Sequence, residues 1–218
     1  MQETSFETPN RRVGVPKRVV FEDRGGIYRQ GDRCREALLI ESGLVRLSRL
    51  HADGREVIVD IVGVGDVVGN LTASNEWTAT EEARALGPVT GTVVHSPFGM
   101  ESVPLEFVQA LMRRTNKLKE RLVSHLVESV EQRLARSLHD LALAFDVPCT
   151  HGFSLEVLLT QQDLADIVCA SRPVVSLALN RMKECGLLNY TGQKICVHAH
   201  AVEAWAKTLH GEPALLSR

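Results

Sequence analysis

Apolar residues between positions 27 and 94 occur in short runs that turn signals separate. The runs are rich in Val, Ile and Leu, and glycine-containing pairs such as Asp53-Gly54 lie between them. The run that starts at Leu44 partly alternates between apolar and polar residues, and another run starts at Val57 after the turn, as in a hairpin. Strands of this length and spacing predict an antiparallel barrel or sandwich.

The spacing of apolar residues changes after Pro104, where it alternates between three and four. This is the seam of a helix that pairs with another helix. A helix of about 25 residues would be about 37 Å long, and the simplest partner for such an element in a short chain is a second copy of itself. The sequence therefore predicts a homodimer. The seam positions are Val108, Leu111, Thr115, Leu118, Leu122, His125 and Ser129.

Residues 159–188 contain two short helical patterns joined by a tight turn. Thr160 is a good N-cap, and Asp163 three residues later completes a capping box. Ser171 can cap the second helix, and Pro173 falls in its first turn, where a missing N–H costs nothing. This pattern predicts a helix-turn-helix, whose second helix enters the major groove of DNA. The core face of that helix is formed by Val175, Leu179 and Met182.

The opposite face of the second helix carries the side chains that read DNA. Arginine reads guanine through O6 and N7, asparagine reads adenine, and hydroxyl groups suit phosphate. Residues 187–198 resemble two strands around a Thr-Gly turn, the wing of a winged helix, with Gln193 or Lys194 at its tip. The alternative is a small helical domain that binds nothing. The candidate DNA contacts are Thr160, Gln161, Gln162, Ser171, Arg172, Pro173, Ser176, Leu177, Asn180, Arg181 and Lys194.

Composition limits the remaining possibilities. A chain of 218 residues forms one large domain or two small ones, and a net charge of -2 excludes a protein that coats nucleic acid by bulk electrostatics. The sequence has no apolar run long enough for a membrane helix and no signal peptide pattern, so we expect a cytoplasmic protein without a membrane partner. The basic run 113–121 is interpreted as a solvated helix face.

The five cysteines form no CxxC pair, which argues against a disulfide framework, and we expect them to be buried apolar side chains. Cys196, His198 and His200 would lie on one face of a strand, a spacing that can hold zinc. A fourth ligand is missing, and Cys149 and His151 are distant in sequence. We therefore predict no metal site.

In their order and spacing, several short motifs together resemble the cAMP receptor protein and fumarate-nitrate regulator (Crp/Fnr) superfamily of transcription factors. The resemblance implies an α+β protein with an N-terminal antiparallel β-roll of the cyclic-nucleotide-binding type, a long dimerisation helix and a C-terminal winged helix-turn-helix. The corresponding divisions are 1–103, 104–129 and 130–218. It also implies double-stranded DNA with a palindromic operator as partner, and RNA polymerase at residues 147–154. The motifs are residues 27–32, 41–47, 53–56, 65–69, the long helix, 159–165 and 171–173.

The effector pocket that the resemblance implies departs from the pattern of the cAMP receptor protein. Asn70 replaces a glutamate, and Thr80 and Glu81 stand where an Arg-Ser pair neutralises the cyclic phosphate. Acids beside a phosphate would repel it, so we predict that cAMP is not the effector. A regulator that binds DNA without any effector is a further alternative. The candidate pocket residues are Gly69, Asn70, Leu71, Thr80, Glu81, Leu118 and Lys119.

The cysteines and histidines of the sequence bear on three further possibilities, namely an iron-sulfur cluster, a haem and an enzyme site. The iron-sulfur cluster of the fumarate-nitrate branch needs N-terminal cysteines, and none precedes Cys34. A haem-based or other gas- or redox-sensing regulator remains an alternative. A cupin-like metal enzyme would need a cluster of histidines in the barrel, and no catalytic motif occurs, so we expect no enzyme. The possible axial haem ligands are Cys34, His51, His95 and His125.

The recognition helix also departs from the superfamily pattern. Pro173 replaces a glutamate that accepts from cytosine, and Leu177 replaces an arginine that donates to guanine. We therefore expect a half-site different from that of the cAMP receptor protein, with Leu177 against a thymine methyl group.

Overall fold

The computed structural model describes residues 17–71, 77–95, 105–155, 159–191 and 194–209. It confirms the α+β class, with an N-terminal antiparallel sheet domain and a C-terminal helix-turn-helix. The chain divides into two compact units at Lys119 and Glu120, while the three-part division at 103 and 129 stays a prediction. The elements are β1 Lys17–Phe21, β2 Gly26–Tyr28, β3 Arg33–Cys34, β4 Glu36–Leu50, β5 Glu56–Val62, β6 Val67–Gly69, β7 Trp77–Thr78, β8 Glu82–His95, α1 Leu105–Val127, α2 Val130–Phe145, β9 Pro148–Cys149, β10 Gly152–Leu155, α3 Gln161–Ile167, α4 Arg172–Glu184, β11 Leu188–Thr191, β12 Lys194–His198 and α5 Ala199–Leu209.

The first unit is built around two long strands, β4 and β8, which pair antiparallel. β1 and β2 pair with β8, and β5 and β6 pair with β4. The predicted hairpin is confirmed, because Val45 pairs with Val62 and Leu50 pairs with Glu56 across the turn. Alternate side chains of these strands face one core. The start of α1 packs on a second apolar cluster through Phe107 and Ala110.

The second unit places α2, α3 and α4 beside a four-stranded sheet in the order β11-β12-β10-β9. The predicted core residues Val175, Leu179 and Met182 are all buried. α1 ends at Val127, and Ser129 is the N-cap of α2, where its hydroxyl accepts from the N–H of Gln132. The placement of Ser129 in the α1 seam is therefore wrong.

The expectation for the cysteines is wrong as well. Cys149 and Cys196 form a disulfide between β9 and β12, the two strands that pair with β10. Cys169 and Cys185 are exposed, and Cys34 is half-buried. His200 belongs to α5 and not to a strand, so the predicted row of three ligands on one strand does not form. No helix in the described part of the chain is long and apolar enough to cross a membrane.

Candidate nucleic-acid interface and effector cavity

The turn between α3 and α4 is fixed by local hydrogen bonds. The Thr160 hydroxyl accepts from the N–H of Asp163, and the Asp163 carboxylate accepts from the N–H of Thr160 at 2.7 Å, which completes the predicted capping box. After α3, Cys169 adopts a left-handed conformation with φ of 50°, and the N–H of Ala170 donates to Ala165. The chain thereby reverses within a few residues and begins α4 at Arg172.

α4 exposes most of the residues that the sequence assigns to DNA. Arg172, Pro173, Leu177, Asn180 and Arg181 are exposed. Among the predicted contacts outside α4, Thr160, Gln162, Ser171 and Lys194 are exposed and Gln161 is half-buried. Gln193 lies outside the described residues.

Two details of α4 differ from the prediction. Ser171 occupies the N-cap position, but its side chain makes no capping hydrogen bond. Ser176 is half-buried rather than exposed. The role of both residues in DNA binding stays a prediction.

The two ends of the exposed α4 face differ in their contacts. Asn180 accepts a 2.5 Å hydrogen bond from the Tyr190 hydroxyl, and Arg181 forms a 2.6 Å ion pair with Glu131. Arg172, in contrast, makes no side-chain hydrogen bond or ion pair with another described residue. The N-terminal end of α4 therefore presents the guanidinium that is most available to a base.

The C-terminal half of α1 contacts the end of α3. Arg121 donates to the main-chain oxygen of Ile167 at 2.7 Å, and Arg133 of α2 donates to that of Val168 at 3.0 Å. His125 Nε2 lies 3.7 Å from the Cys169 sulfur. The sequence does not signal these contacts, because the partners are more than 30 positions apart.

The histidine at this turn is electrostatically perturbed. Burial first, and then the positive charges of Arg121 and Arg133, lower the pKa of His125, while the Glu128 carboxylate opposes them. Glu128 itself accepts from Ser124 at 2.5 Å and from Arg136. Burial acts to raise the pKa of Glu128, but these hydrogen bonds lower it overall.

The interpretation of residues 113–121 as a solvated face holds for Arg113, which is exposed, but is wrong for Arg114 and Arg121, which are half-buried. Besides Arg121, Arg113 donates to the Gly65 carbonyl at 2.8 Å, and Arg114 donates to the Val67 carbonyl at 3.1 Å. These guanidiniums satisfy main-chain carbonyl groups in the β5–β6 turn, at the start of β6 and at the end of α3.

A cavity of about 280 Å³ lies in the first unit between the sheet and α1. Four of the seven predicted pocket residues line it, namely Gly69, Leu71, Glu81 and Leu118. Asn70 is fully buried and does not line the cavity, and Thr80 and Lys119 are exposed away from it. The sequence missed the other lining residues, which are Trp77, Leu111, Arg114 and Thr115.

The cavity contains an internal ion pair. Arg114 Nη2 lies 3.7 Å from Glu81 Oε1, and both side chains are only 17% exposed. Burial raises the pKa of Glu81, and the Arg114 charge opposes this rise. The sequence around position 81 offers no arginine for a ligand phosphate. The guanidinium in the cavity belongs to Arg114 of α1, and the Glu81 carboxylate neutralises its charge.

The seam residues of α1 do not all face the same environment. Leu111 and Leu118 line the cavity, and His125 lies against Cys169. Among the apolar side chains of α1 that are more than 60% exposed, Leu122 keeps its predicted place in the seam, whereas others are offset from it by one position. The offset residues are Met112 and Leu126, and the remaining two, Leu105 and Val127, lie at the ends of α1.

The candidate haem ligands have different surroundings. His51 is exposed at the β4–β5 turn, and the His95 side chain lies outside the described part. Burial, with smaller effects from Asp32 and Glu36, raises the pKa of Cys34 to about 11, which keeps its thiol protonated. Within the described residues no group of three or more His, Cys, Asp or Glu side chains is arranged to hold a metal ion.

Comparisons with known proteins agree with this architecture. The family model for the cyclic nucleotide-binding domain matches residues 18–95, and that for the Crp-like helix-turn-helix domain matches residues 132–201. The global nitrogen regulator of Synechococcus elongatus is 26% identical over 214 residues, which cover 89% of this chain and 93% of that protein. The CRP-like cAMP-activated global transcriptional regulator of Mycobacterium tuberculosis is 26% identical over 179 residues, which cover 78% of this chain and 79% of that protein.

Solved structures show the same fold. A transcriptional regulator of the CRP family from Thermus thermophilus superposes with a TM-score of 0.73 at 20% identity, covering 91% of this chain and all of that one. The c-di-GMP responsive global regulator of Xanthomonas campestris superposes with a TM-score of 0.67 at 21% identity, covering 84% of this chain and 94% of that one.

Proposed function

Because the chain belongs to the Crp/Fnr superfamily of DNA-binding transcription regulators, we propose that it binds a palindromic operator as a homodimer whose effector is not cAMP. The proposal includes the case in which the dimer binds DNA without any effector. The observation that supports DNA binding is the exposed N-terminal end of α4. Arg172 there has no hydrogen-bond or ion-pair partner among the described residues, while the apolar face of α4 is buried.

The DNA contacts divide into two kinds. Arg172 and Asn180 would read guanine and adenine edges, and Leu177 would rest on a thymine methyl group. Arg181 would contact DNA only after it shares or leaves its ion pair with Glu131. The residues that would fix the register on phosphate are Thr160, Gln161, Gln162, Ser171 and Lys194.

The homodimer is supported by the exposed apolar side chains of α1. Leu105, Val108, Met112, Leu122 and Leu126 follow the three-and-four spacing of a helix pair, interrupted by Thr115 and Lys119. Leaving such a stripe in water is unfavourable, and a second α1 would bury it. The recognition helices of that dimer would lie about 34 Å apart, in successive major grooves.

The exclusion of cAMP is supported by the charge inside the cavity. A cyclic phosphate there would meet the Glu81 carboxylate and would have to compete with it for Arg114. The cavity of about 280 Å³ is also slightly smaller than the roughly 300 to 1,000 Å³ of ordinary small-molecule sites.

RNA polymerase is the further partner that we propose, at the segment 147–154. Its first four residues are exposed or half-exposed, and they lie between α2 and β10 at the surface of the second unit.

Native mass spectrometry of protein purified without added ligand, together with selection of binding sites from random DNA, tests the proposal. We expect a dimer that selects a palindrome with half-site centres about 10 base pairs apart. A monomer that enriches no motif would contradict both the dimer and the sequence-specific binding, and a discrete extra mass equal to that of cAMP would contradict the effector part.

A further inference from the structure

Five side chains of the metal-ligand type lie on the sheet of the second unit or directly beside its strands in sequence. The Cys149–Cys196 disulfide spans from β9 to β12. The ring centroids of His151 and His198 are 5.5 Å apart, and those of His198 and His200 are also 5.5 Å apart. Cys149, which is distant from Cys196 in sequence, is therefore bonded to it in the fold, and His151 lies beside His198, two positions after Cys196 on β12.

The register of the strands explains why these side chains meet. Ile195 and Val197 of β12 are buried, so the alternate residues Cys196 and His198 point to the opposite face. Gly152 of β10 pairs with His198 on one side and with Cys149 on the other. A Cβ at Gly152 would lie 2.3 Å from the Val197 oxygen, so glycine is required at the centre of this row.

We propose that the reduced form of the protein binds one zinc ion through Cys149, Cys196, His151 and His198. In the disulfide form the two sulfurs are bonded to each other, and no metal site is preformed among the described residues. Two thiolates and two imidazoles are a common structural donor set for Zn²⁺, which is tetrahedral in such sites.

The positions of the two imidazoles fit this donor set. Imidazoles bound to one tetrahedral ion at about 2.0 to 2.1 Å have ring centroids about 5 Å apart, close to the observed 5.5 Å between His151 and His198. The two rings are stacked at an interplanar angle of 26°, so at least one ring has to rotate before both nitrogen lone pairs point to the same ion. Zn–S bonds of about 2.3 Å require the two sulfurs to lie about 3.7 Å apart. Breaking the disulfide removes the covalent bond that holds the two sulfurs closer than this.

Each ligating ring also has a neighbour that can orient it. The Thr150 hydroxyl lies 3.0 Å from His151 Nδ1, which leaves Nε2 for the metal. The Asn189 amide lies 3.0 Å from His198 Nε2 and can turn its oxygen toward an Nε2–H, which leaves Nδ1 for the metal. Partners of this kind fix the tautomer of a metal-binding histidine.

The change from disulfide to zinc site is a two-electron reduction followed by ligand exchange. One thiol of a dithiol reductant attacks the disulfide, and its second thiol then displaces the remaining protein sulfur, so that the reductant becomes a disulfide. Cys149 and Cys196 each gain one electron and one proton and become thiols. Zn²⁺ binding then releases both thiol protons to water.

The test uses the full chain, once oxidised and once reduced with a metal-free phosphine, and titrated with Zn²⁺ or with Co²⁺ as a spectroscopic probe. We expect one ion per chain in the reduced protein only, with a sulfur-to-cobalt charge-transfer band and the visible bands of tetrahedral Co²⁺. Far-ultraviolet circular dichroism checks that the reduced chain stays folded. A folded, reduced chain that binds neither ion would overturn the proposal.

Matched variants locate the site. Cys149→Ser should abolish the charge-transfer band of the pair, and His151→Ala should weaken binding about tenfold or more. Cys185→Ser removes an exposed thiol of the same unit, and His200→Ala removes the imidazole next to the proposed ligands, so both should retain binding. Loss of binding in His200→Ala but not in His151→Ala would overturn the assignment of His151.

Discussion

Arg121 in the C-terminal half of α1 donates a 2.7 Å hydrogen bond to the main-chain oxygen of Ile167, the last residue of α3. The last carbonyls of a helix have no partner within the helix and carry the negative end of its dipole. The Arg121 guanidinium therefore gives the Ile167 carbonyl a hydrogen-bond donor and places a positive charge at the negative end of the α3 dipole. It also connects the long helix to the first helix of the helix-turn-helix.

Arg121→Ala should lower the free energy of unfolding by about 1 to 2 kcal/mol, because it removes a charge-assisted hydrogen bond from a half-buried carbonyl. Chemical denaturation of the two proteins measures the difference. Lys117→Ala removes an exposed cation one turn earlier on α1 and should change the stability by less than about 0.5 kcal/mol. Equal effects of the two substitutions would show that the Ile167 contact contributes nothing.

Arg172→Ala should weaken binding to the selected operator by about 1 to 3 kcal/mol and relax the preference at one base position. Fluorescence anisotropy on the operator and on a scrambled duplex measures both effects. Lys207→Ala removes an exposed positive charge on α5 and serves as the control. If Arg172→Ala weakens binding to both duplexes equally, the side chain contacts only phosphate.

Leu122→Asp should convert the proposed dimer to a monomer, because it puts a charge in the exposed apolar stripe of α1. Native mass spectrometry across a dilution series reports the change. Leu143→Asp is the matched control, since Leu143 is a similarly exposed leucine on α2. A dimer that survives Leu122→Asp but dissociates with Leu143→Asp would place the interface on another surface.

Glu81→Gln should make cAMP binding detectable where the wild-type chain shows none, because it removes the carboxylate that neutralises Arg114. Isothermal titration calorimetry measures both proteins. Glu82→Gln is the control, because Glu82 pairs with Arg84 and does not line the cavity. Micromolar binding of cAMP to the wild-type chain would contradict the proposed exclusion of that effector.

Features that depend on neighbours in sequence could be predicted from it. The Thr160–Asp163 capping box is a pair three positions apart, and the buried face of α4 follows from the helical period. The β4–β5 hairpin is set by its short turn in the same way. The fold and the exposed face of the recognition helix can therefore be predicted from such local features, because none of them depends on long-range contacts.

Features that depend on distant partners could not be predicted. Arg114 reaches Glu81 and Arg121 reaches Ile167 only after the sheet and the helix-turn-helix have formed. The α1 seam shows the same limit. Leu111 and Met112 are both apolar, and only the packing of the helix on the sheet decides that Leu111 lines the cavity while Met112 is exposed.

His125 predicts a pH dependence of stability. Burial and the charges of Arg121 and Arg133 lower its pKa in the folded protein, so the unfolded chain binds a proton that the folded chain does not. Stability therefore falls as the pH drops below the unfolded value of about 6.5. The lowered pKa of Glu128 acts only below about pH 4.5, so it does not disturb this range.

His125→Gln should flatten the decrease of the unfolding free energy between about pH 7.5 and pH 5, because glutamine does not titrate. Urea denaturation at several pH values measures the slope for each protein. His51→Gln replaces an exposed histidine of the first unit and should retain the wild-type slope. If the slope is unchanged in His125→Gln, another group takes up the proton on unfolding. The contact of His125 with the turn at Cys169 would then not cause the pH dependence of stability.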